Sequence, residues 1–264
     1  MLGAILGDAI GSAHQRIKIQ DFEIISPDSH WTENTIFMLA TADYLLYGGD
    51  YEEAYGRWYE WYPKIAGGYN NSFSNWVATD CSKPYYSCRN DGAVRVIPIA
   101  YAFDTLKEVM EEAERSATVS HNHPEGVKGA QITAVAVFLA KTGTPKETMA
   151  ALLTNIFGYD FQTPYESLQE SYQYSTLAQD TVGAAVIAFL ASSDFEDAIR
   201  KAVALGGDAK TLAAIAGGIA EAFYPKILPS LRKWGLTLLD EGQQDLITEF
   251  RSEYSQDVAP AYAA

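Results

Sequence analysis

The stretch Ala209-Lys-Thr-Leu-Ala-Ala-Ile-Ala-Gly-Gly-Ile-Ala-Glu-Ala-Phe-Tyr224 decides the fold. It follows a helical period, and it is so rich in alanine and glycine that neighbouring elements must approach its backbone closely. We therefore predict a helix at the centre of the molecule. A second helical run, residues 195–205, precedes it, and the two runs meet at Gly206 and Gly207.

The helical period dominates the rest of the chain as well. In residues 35–46 the apolar residues recur at spacings of three and four, and Asn34 is the expected N-cap. The run Pro124–Lys141 begins with a proline, which the first turn of a helix tolerates. A short strand candidate is the run 22–25. The sequence therefore predicts an all-α fold.

Two long connections interrupt the helical pattern, at residues 67–87 and 159–175. Loops of that length in a compact domain are usually functional or face a partner. Neither has the composition of an interdomain linker, and no internal repeat divides the chain. We predict one domain over residues 1–264.

Composition and charge narrow the function classes. Of the 264 residues 48% are hydrophobic, which suffices for a sizeable core, and the net charge of −15 should repel nucleic acid and anionic membranes. No apolar run approaches the roughly 20 residues of a bilayer span, and the apolar start lacks the basic region of a signal peptide. Cys81 and Cys88 are too few for a disulfide framework, although one bridge between them stays open in an oxidising compartment. We expect a cytoplasmic protein.

A short segment is dense in aromatic residues. Its packing into the core is favoured over a partner-binding surface, because large aromatic side chains are mostly buried. The residues concerned are Tyr55, Trp58, Tyr59, Trp61 and Tyr62.

Four segments place polar residues at the ends of apolar helices: residues 7–12, 31–35, 121–126 and 206–211. Each alone has a structural explanation. The spacing of Gly7 and Gly11 is typical of close helix packing, and Asp208 is a good N-cap. His121 and His123 fit either a ligand pair or a capped helix start.

Together these segments resemble the ADP-ribosylglycohydrolase family in order and spacing, from Gly3 to about Phe250. Residues 3–12 are similar to the family's amino-terminal helix and 119–130 to its central motif. Residues 87–98 are similar to its substrate loop and 194–224 to its carboxy-terminal metal segment. The resemblance implies a single-domain orthogonal bundle of many helices. It also implies cleavage of the glycosidic bond between the ribose of ADP-ribose and an acceptor, usually with two Mg²⁺ ions in a cleft.

The resemblance and the chemistry of glycoside cleavage together imply the site residues. Cleavage passes through an oxocarbenium-like state, which needs a carboxylate near the ribose C1 and an acid for the leaving group. We expect Glu33 as base or electrostatic stabiliser and Asp91 or His123 as acid. Arg89 and Arg95 are expected to hold a phosphate by bidentate hydrogen bonds. The expected substrate-binding residues are Asp8, Gln15, Arg89, Asn90, Gly92, Arg95, His121, Asn122 and Lys210.

The chain departs from the family pattern where the metals are expected. It has Thr32-Glu33-Asn34-Thr35 in place of Thr-Asp-Asp-Thr, and Gly207-Asp208-Ala209-Lys210-Thr211 in place of Gly-Asp-Ser-Asp-Thr. Gln15 replaces a glutamate, and Arg89 and Asp91 replace two glycines of the substrate loop.

These departures change the charge balance of the implied metal site. With Glu33 and Asp208 negative and Lys210 positive, two Mg²⁺ ions would leave roughly +3 uncompensated, at a cost of several kcal/mol. We expect no binuclear site and no other cofactor, with Lys210 bridging the two carboxylates instead. At most one weakly bound Mg²⁺ would use Thr32, Glu33, Asp208 and Thr211.

Two interpretations of function stay open at this point. The first is a glycosidase-like protein with a remodelled cleft, which acts on or binds an ADP-ribose-like nucleotide or nucleoside. The second is a catalytically silent relative that serves as a ligand-binding or protein-interaction module. The sequence does not distinguish the acceptor or the oligomeric state.

Overall fold

The computed structural model describes residues 1–81 and 83–254, in which fifteen α-helices form. The prediction of an all-α fold is confirmed. The strand candidate at residues 22–25 is wrong, since within the described residues the β-structure is one isolated bridge between Arg89 and Leu177. The helices are α1 Leu2–Ser12, α2 Glu33–Tyr47, α3 Tyr51–Trp61, α4 Asn71–Ala78, α5 Asp91–Val94, α6 Ile99–Ala102, α7 Leu106–Thr118, α8 Pro124–Lys141, α9 Lys146–Phe157, α10 Tyr165–Ser171, α11 Ala178–Leu190, α12 Phe195–Ala204, α13 Ala209–Phe223, α14 Pro229–Thr237 and α15 Glu241–Tyr254.

The predicted central helix is α13, and α1 lies directly against it. Glycine makes this contact possible. A Cβ atom at Gly7 would lie 1.9 Å from the carbonyl oxygen of Ala213, and one at Gly11 would lie 2.3 Å from that of Ala209. The two backbones therefore touch, and the predicted close packing at Gly7 and Gly11 is confirmed.

Helices α12, α11 and α8 also pack against α13. Helix α8 packs in addition against α11, α7 and α5, and its bounds are those predicted from the sequence. Helix α2 packs against α1, α3 and α15. The starts of α2, α5 and α13 are thereby held at one end of the core.

Local chemistry moves several predicted boundaries. Helix α2 begins at Glu33 because Thr32, and not Asn34, is its N-cap: Thr32 Oγ1 accepts a hydrogen bond from the Asn34 amide at 3.3 Å. The predicted loops 67–87 and 159–175 are interrupted by the short helices α4 and α10. Helix α4 is capped by Asn70, whose Oδ1 accepts from the Phe73 amide at 2.8 Å.

The aromatic segment packs inward, as expected, along one face of α3. Tyr55 and Trp58 are buried, whereas Trp61 is 58% exposed. Cys81 and Cys88 are free thiols, and burial raises the pKa of Cys81 to about 11. In the described ranges, no helix combines the length and the apolar character that crossing a bilayer requires.

Candidate functional site

The site lies where the end of α1 meets the starts of α2 and α13. Asp8, on α1, is buried and accepts four hydrogen bonds, all from residues at the start of α2. Its donors are the Thr32 amide at 2.8 Å, the Thr32 hydroxyl at 2.7 Å, the Thr35 hydroxyl at 2.7 Å and the Asn34 amide group at 3.3 Å. Burial raises the pKa of Asp8, while Lys210 and the hydroxyls oppose the rise. Asp8 therefore anchors the start of α2 and has no oxygen left without a partner.

A second buried carboxylate, Asp208, anchors the start of α13. Asn90 donates to its Oδ2 at 2.9 Å, and so does the Thr211 hydroxyl at 3.1 Å. Gln15, with its amide nitrogen turned toward Asp208, donates to Oδ1 at 3.2 Å and accepts from the Lys210 backbone amide at 2.8 Å. Asn34 also donates to Thr211, at 3.2 Å. One hydrogen-bonded network therefore joins both helix starts.

The central pair of the site is Glu33 and Lys210. The Lys210 ammonium donates to Glu33 Oε1. The Glu33 side chain is 14% exposed and the Lys210 side chain is 19% exposed. Burial lowers the pKa of Lys210, but the negative charges of Glu33 and Asp208 outweigh it and raise that pKa, so the ammonium stays charged. Within residues 1–81 and 83–254, Lys210 has no ion pair with Asp208. The predicted bridge is therefore wrong at Asp208, whose oxygens face Asn90, Thr211 and Gln15.

The oxygens of the site can be tested against the two Mg²⁺ ions that the resemblance implies. Both oxygens of Asp8 and both of Asp208 already accept hydrogen bonds, and the Lys210 ammonium lies on Glu33. Two buried oxygens of the site, Glu33 Oε2 and Asn34 Oδ1, have no partner in the described part of the chain. One Mg²⁺ ion takes about six oxygen ligands, so water would have to supply most of the ligands of a pair of such ions.

A second cluster surrounds Asp91, at the start of α5. His121 Nε2 lies 2.9 Å from Asp91 Oδ1, Asn70 donates to Asp91 Oδ2 at 2.8 Å, and Ser120 Oγ lies 2.9 Å from His121 Nδ1. A carboxylate only accepts, so Nε2 carries the proton and Ser120 donates to Nδ1. Gly92 gives the ring its space, since a Cβ there would lie 2.7 Å from His121 Cγ.

The protonation of this cluster bears on the predicted acid. Burial alone would raise the pKa of Asp91, but the hydrogen bond and attraction of His121, with Arg89 and Arg95, hold it well below its ordinary value. Burial lowers the pKa of His121. Asp91 is thus an ionised carboxylate beside a neutral imidazole, and it lacks the proton that the predicted acid role needs.

The other residues of the central motif lie at the start of α8. His123 is the N-cap of this helix, and its Nδ1 accepts from the Glu125 amide at 3.1 Å. Asn122 Oδ1 accepts from the Tyr86 amide at 2.8 Å, so Asn122 fixes the adjoining loop. The structure therefore supports the capped helix start for His123 and places His121, not His123, beside Asp91.

The two predicted phosphate-binding arginines differ in their placement. Arg89 is 43% exposed and donates to the Thr176 hydroxyl at 3.1 Å. Arg95 is wholly buried: its guanidinium lies 4.2 Å from the Tyr55 ring centroid and donates to the carbonyl oxygens of Ser116 and Ala117. The structure does not bring Arg95 to an open surface, and a phosphate contact would require this packing to separate.

Three residues of the site were not predicted individually from the sequence. Thr35 lies within the motif of residues 31–35, and its hydroxyl donates to Asp8. Asn70 lies in a predicted loop, and its capping of the short helix α4 was the available signal. Thr181 accepts from Asn90 at 3.0 Å, and the polar start of α11, Gln179-Asp180-Thr181 before an apolar run, was the available signal.

The protein is an all-α protein whose core holds two helix starts, each with a buried aspartate, around one polar site. Comparison with known proteins identifies the family. Residues 1–259 match the ADP-ribosylglycohydrolase family, to which the chain therefore belongs. The chain is similar to ADP-ribosylarginine hydrolase Tri1 of Pseudomonas putida (strain GB-1), with 26% identity over 85% of this chain and 69% of that protein. It is also similar to ADP-ribosylhydrolase ARH3 of Homo sapiens, with 23% identity over 85% of this chain and 84% of that protein.

A solved structure agrees with this assignment. An ADP-ribosylglycohydrolase-related protein complex has a TM-score of 0.73 to this chain, at 26% identity, with 96% of each chain covered. The predicted family is confirmed. Membership supports an ADP-ribosyl hydrolase-like function at the level of the family.

Proposed function

We propose that the protein binds an ADP-ribose-like ribosyl glycoside at this site and cleaves its ribosyl bond without a binuclear Mg²⁺ centre. The observation that carries the proposal is the Lys210 ammonium on Glu33, at the sequence position where the family pattern has an aspartate. A charged side chain then supplies, as part of the fold, the positive charge that cations would bring.

The proposed chemistry uses Glu33 as the carboxylate near the ribose C1. Its Oε2 is buried and without a partner among the described residues, so a ligand that separates the packing over it would bring the ribose, where positive charge develops, against this oxygen. The C1–acceptor bond breaks and a water oxygen bonds to C1, while Glu33 takes the proton of that water. Lys210 favours the ionised form of Glu33 before the reaction.

The acceptor leaves with a proton from a separate source. Asp91 is ionised, and a His123 ring whose Nδ1 accepts a backbone hydrogen bond is not the imidazolium that an acid role needs. We therefore assign the proton to a second water molecule at the acceptor atom, and the hydroxide that it leaves takes the proton held by Glu33. Asp91 and His121 instead order the substrate loop beside Asn90.

A catalytically silent binding module is the second candidate, and the same ion pair favours it. Burial raises the pKa of Glu33, but Lys210 occupies one of its oxygens and opposes that rise, so Glu33 is a weaker base than the same buried carboxylate would be without Lys210. The silent module would keep the ligand site and lose turnover. The expected cytoplasmic location remains a prediction under either function.

Turnover after metal removal tests the proposal. Protein treated with EDTA is incubated with an N-linked ADP-ribosylarginine substrate and with an O-linked ADP-ribosyl conjugate, and released ADP-ribose is quantified by chromatography. We expect release that EDTA leaves unchanged and that Glu33→Gln lowers at least 100-fold. The control is Lys107→Gln on α7, because Lys107 is 83% exposed and far from the site in sequence. Release that appears only with Mg²⁺ would refute the proposal, and binding without release would establish the silent module.

A further inference from the structure

The connection between α3 and α4 packs on the residues around the start of α2; we call residues 62–70 the lid. At one end of the lid the Tyr62 ring meets the Trp31 ring edge to face, with the two centroids 5.9 Å apart. At the other end the centroid of the Tyr69 ring lies 5.8 Å from that of Phe37. Both ends of the lid therefore contact the segment that begins α2.

The lid lies over Glu33. Phe37 follows Glu33 by about one helical turn, so the two side chains lie on the same face of α2. Burial raises the pKa of Tyr69, and the negative charge of Glu33 raises it further, which places the phenol near that carboxylate. Glu33 Oε2 is buried and has no partner in the described residues. A ligand therefore reaches this oxygen only if the packing over it separates.

The lid is a short loop with an exposed tip. The Tyr69 hydroxyl donates to the Tyr62 carbonyl at 2.8 Å, so the loop is closed on itself. At the tip Gly67 and Gly68 have φ of +81° and +69°, and no described atom lies within 4 Å of a Cβ added at either position. Residues 66–68 are exposed and therefore contribute little to keeping the lid closed.

Asn70, the last residue of the lid, joins it to the substrate loop. Its Nδ2 donates to Asp91 Oδ2 at 2.8 Å, while its Oδ1 accepts from the Phe73 amide at 2.8 Å and caps α4. Since Asp91 is ionised, this hydrogen bond is stronger than one between neutral groups. The family pattern has a glycine where this chain has Asp91, so the acceptor of the bond is one of the residues in which the chain departs from that pattern.

We propose that residues 62–70 open to admit a ligand to Glu33, and that the hydrogen bond between Asn70 and Asp91 is the latch that keeps them closed. The inference rests on the proposed function in one respect, because that function places the ligand at Glu33. Opening moves the Tyr62 and Tyr69 rings away from the start of α2 and exposes Glu33 Oε2. Loss of the latch raises the fraction of molecules in which the lid is open.

Chemical labelling of carboxylates measures the opening without any ligand. The full chain is treated with a water-soluble carbodiimide and glycine ethyl ester, and the labelling rate of each carboxylate is measured by mass spectrometry of peptides. The latch variants are Asn70→Ser and Asn70→Asp, since serine and aspartate both cap a helix but neither has the amide donor that Asp91 accepts. The control is Asn75→Ser, because Asn75 is exposed on α4. Thermal melts verify that each protein is folded.

We expect both latch variants to label Glu33 about 10-fold faster than the unaltered chain does, because they lack a hydrogen bond to an ionised group. Glu111 on α7, whose side chain is 61% exposed, is the internal reference and should label within twofold in every protein. Asn75→Ser should label Glu33 at the rate of the unaltered chain. A Glu33 rate within twofold in both latch variants, or an equal rise at Glu111, would overturn the lid.

Stopped-flow binding of ADP-ribose separates the lid from the proposed function. Because entry requires the lid to open, the association rate constant should rise about 10-fold in both latch variants, and a constant within twofold would overturn the inference. Faster labelling of Glu33 in a protein that neither binds nor releases ADP-ribose supports the lid and refutes the proposed function. Release of ADP-ribose with equal Glu33 labelling in all proteins overturns the lid and leaves the proposed function standing.

Discussion

Replacing Lys210 by methionine is the perturbation that bears most directly on the ion pair at the centre of the site. Lys210→Met shortens the side chain by one atom and removes its charge, so Glu33 is left as a mostly buried carboxylate without its cationic partner. Removing one member of a fully buried ion pair costs about 3–5 kcal/mol. With 14% and 19% of the two side chains exposed, solvent screens part of this loss, and we expect about 2–3 kcal/mol at pH 7.

The loss converts to a measurable shift in thermal unfolding. For a chain of this size 1 kcal/mol corresponds to about 2–4 °C, so Lys210→Met should lower Tm by about 5–10 °C. Burial already raises the pKa of Glu33 in the folded protein against the opposing charge of Lys210, and loss of that charge raises it further above its unfolded value. The penalty should therefore grow as the pH rises through that folded pKa, and shrink toward about pH 4.5.

A double-mutant cycle supplies the control. Glu33→Gln removes the carboxylate that Lys210→Met leaves unpaired, so the double variant should unfold within about 1 kcal/mol of the unaltered protein. Denaturant unfolding at pH 7 and pH 4.5 measures all four proteins. A Tm change below about 1 °C in Lys210→Met, or a double variant as unstable as the sum of the single changes, would refute the reasoning.

Two further perturbations test the packing and the second cluster. Gly7→Ala should cost about 3 kcal/mol or more in unfolding free energy, since its Cβ would lie 1.9 Å from the Ala213 carbonyl oxygen. The control is Gly183→Ala on α11, which should be neutral or stabilising because nothing lies within 4 Å of the added Cβ. Equal effects of the two substitutions in urea unfolding would contradict the close contact. Asn70→Ala should cost about 1–2 kcal/mol at pH 7, because it removes both a donor to the ionised Asp91 and the N-cap of α4. The folded pKa of Asp91 lies well below its ordinary value, so Asp91 stays ionised in the folded state and this contribution is kept at pH 3; a cost that falls markedly between pH 7 and pH 3 would contradict the low pKa of Asp91.

The features that the sequence predicted well are those set by local pattern. The helical period located α8 to the residue, and the glycines of α1 and α13 indicated a backbone contact, because the absence of a Cβ is legible in the sequence itself. The short helices α4 and α10 were missed, since eight and seven residues give too little of a period to distinguish a helix from a loop.

The features that the sequence predicted poorly depend on contacts between distant residues. Substrate binding by Asp8 stays a prediction, but the sequence did not indicate that hydroxyl and amide donors at the start of α2 fill both of its oxygens. Arg95 was expected at a phosphate, whereas the Tyr55 ring and two carbonyl groups enclose it. Residue type and spacing do not specify how deeply a side chain is buried or which partner it contacts, so they did not predict these contacts.

The most direct test of the central claim is calorimetric titration of metal-stripped protein with ADP-ribose, in the presence and absence of about 5 mM Mg²⁺, a concentration that would saturate even a weak oxygen-ligand site. With Lys210 in place of the cations, ADP-ribose should bind with the same affinity in both titrations. Binding that appears only when Mg²⁺ is present would contradict the account.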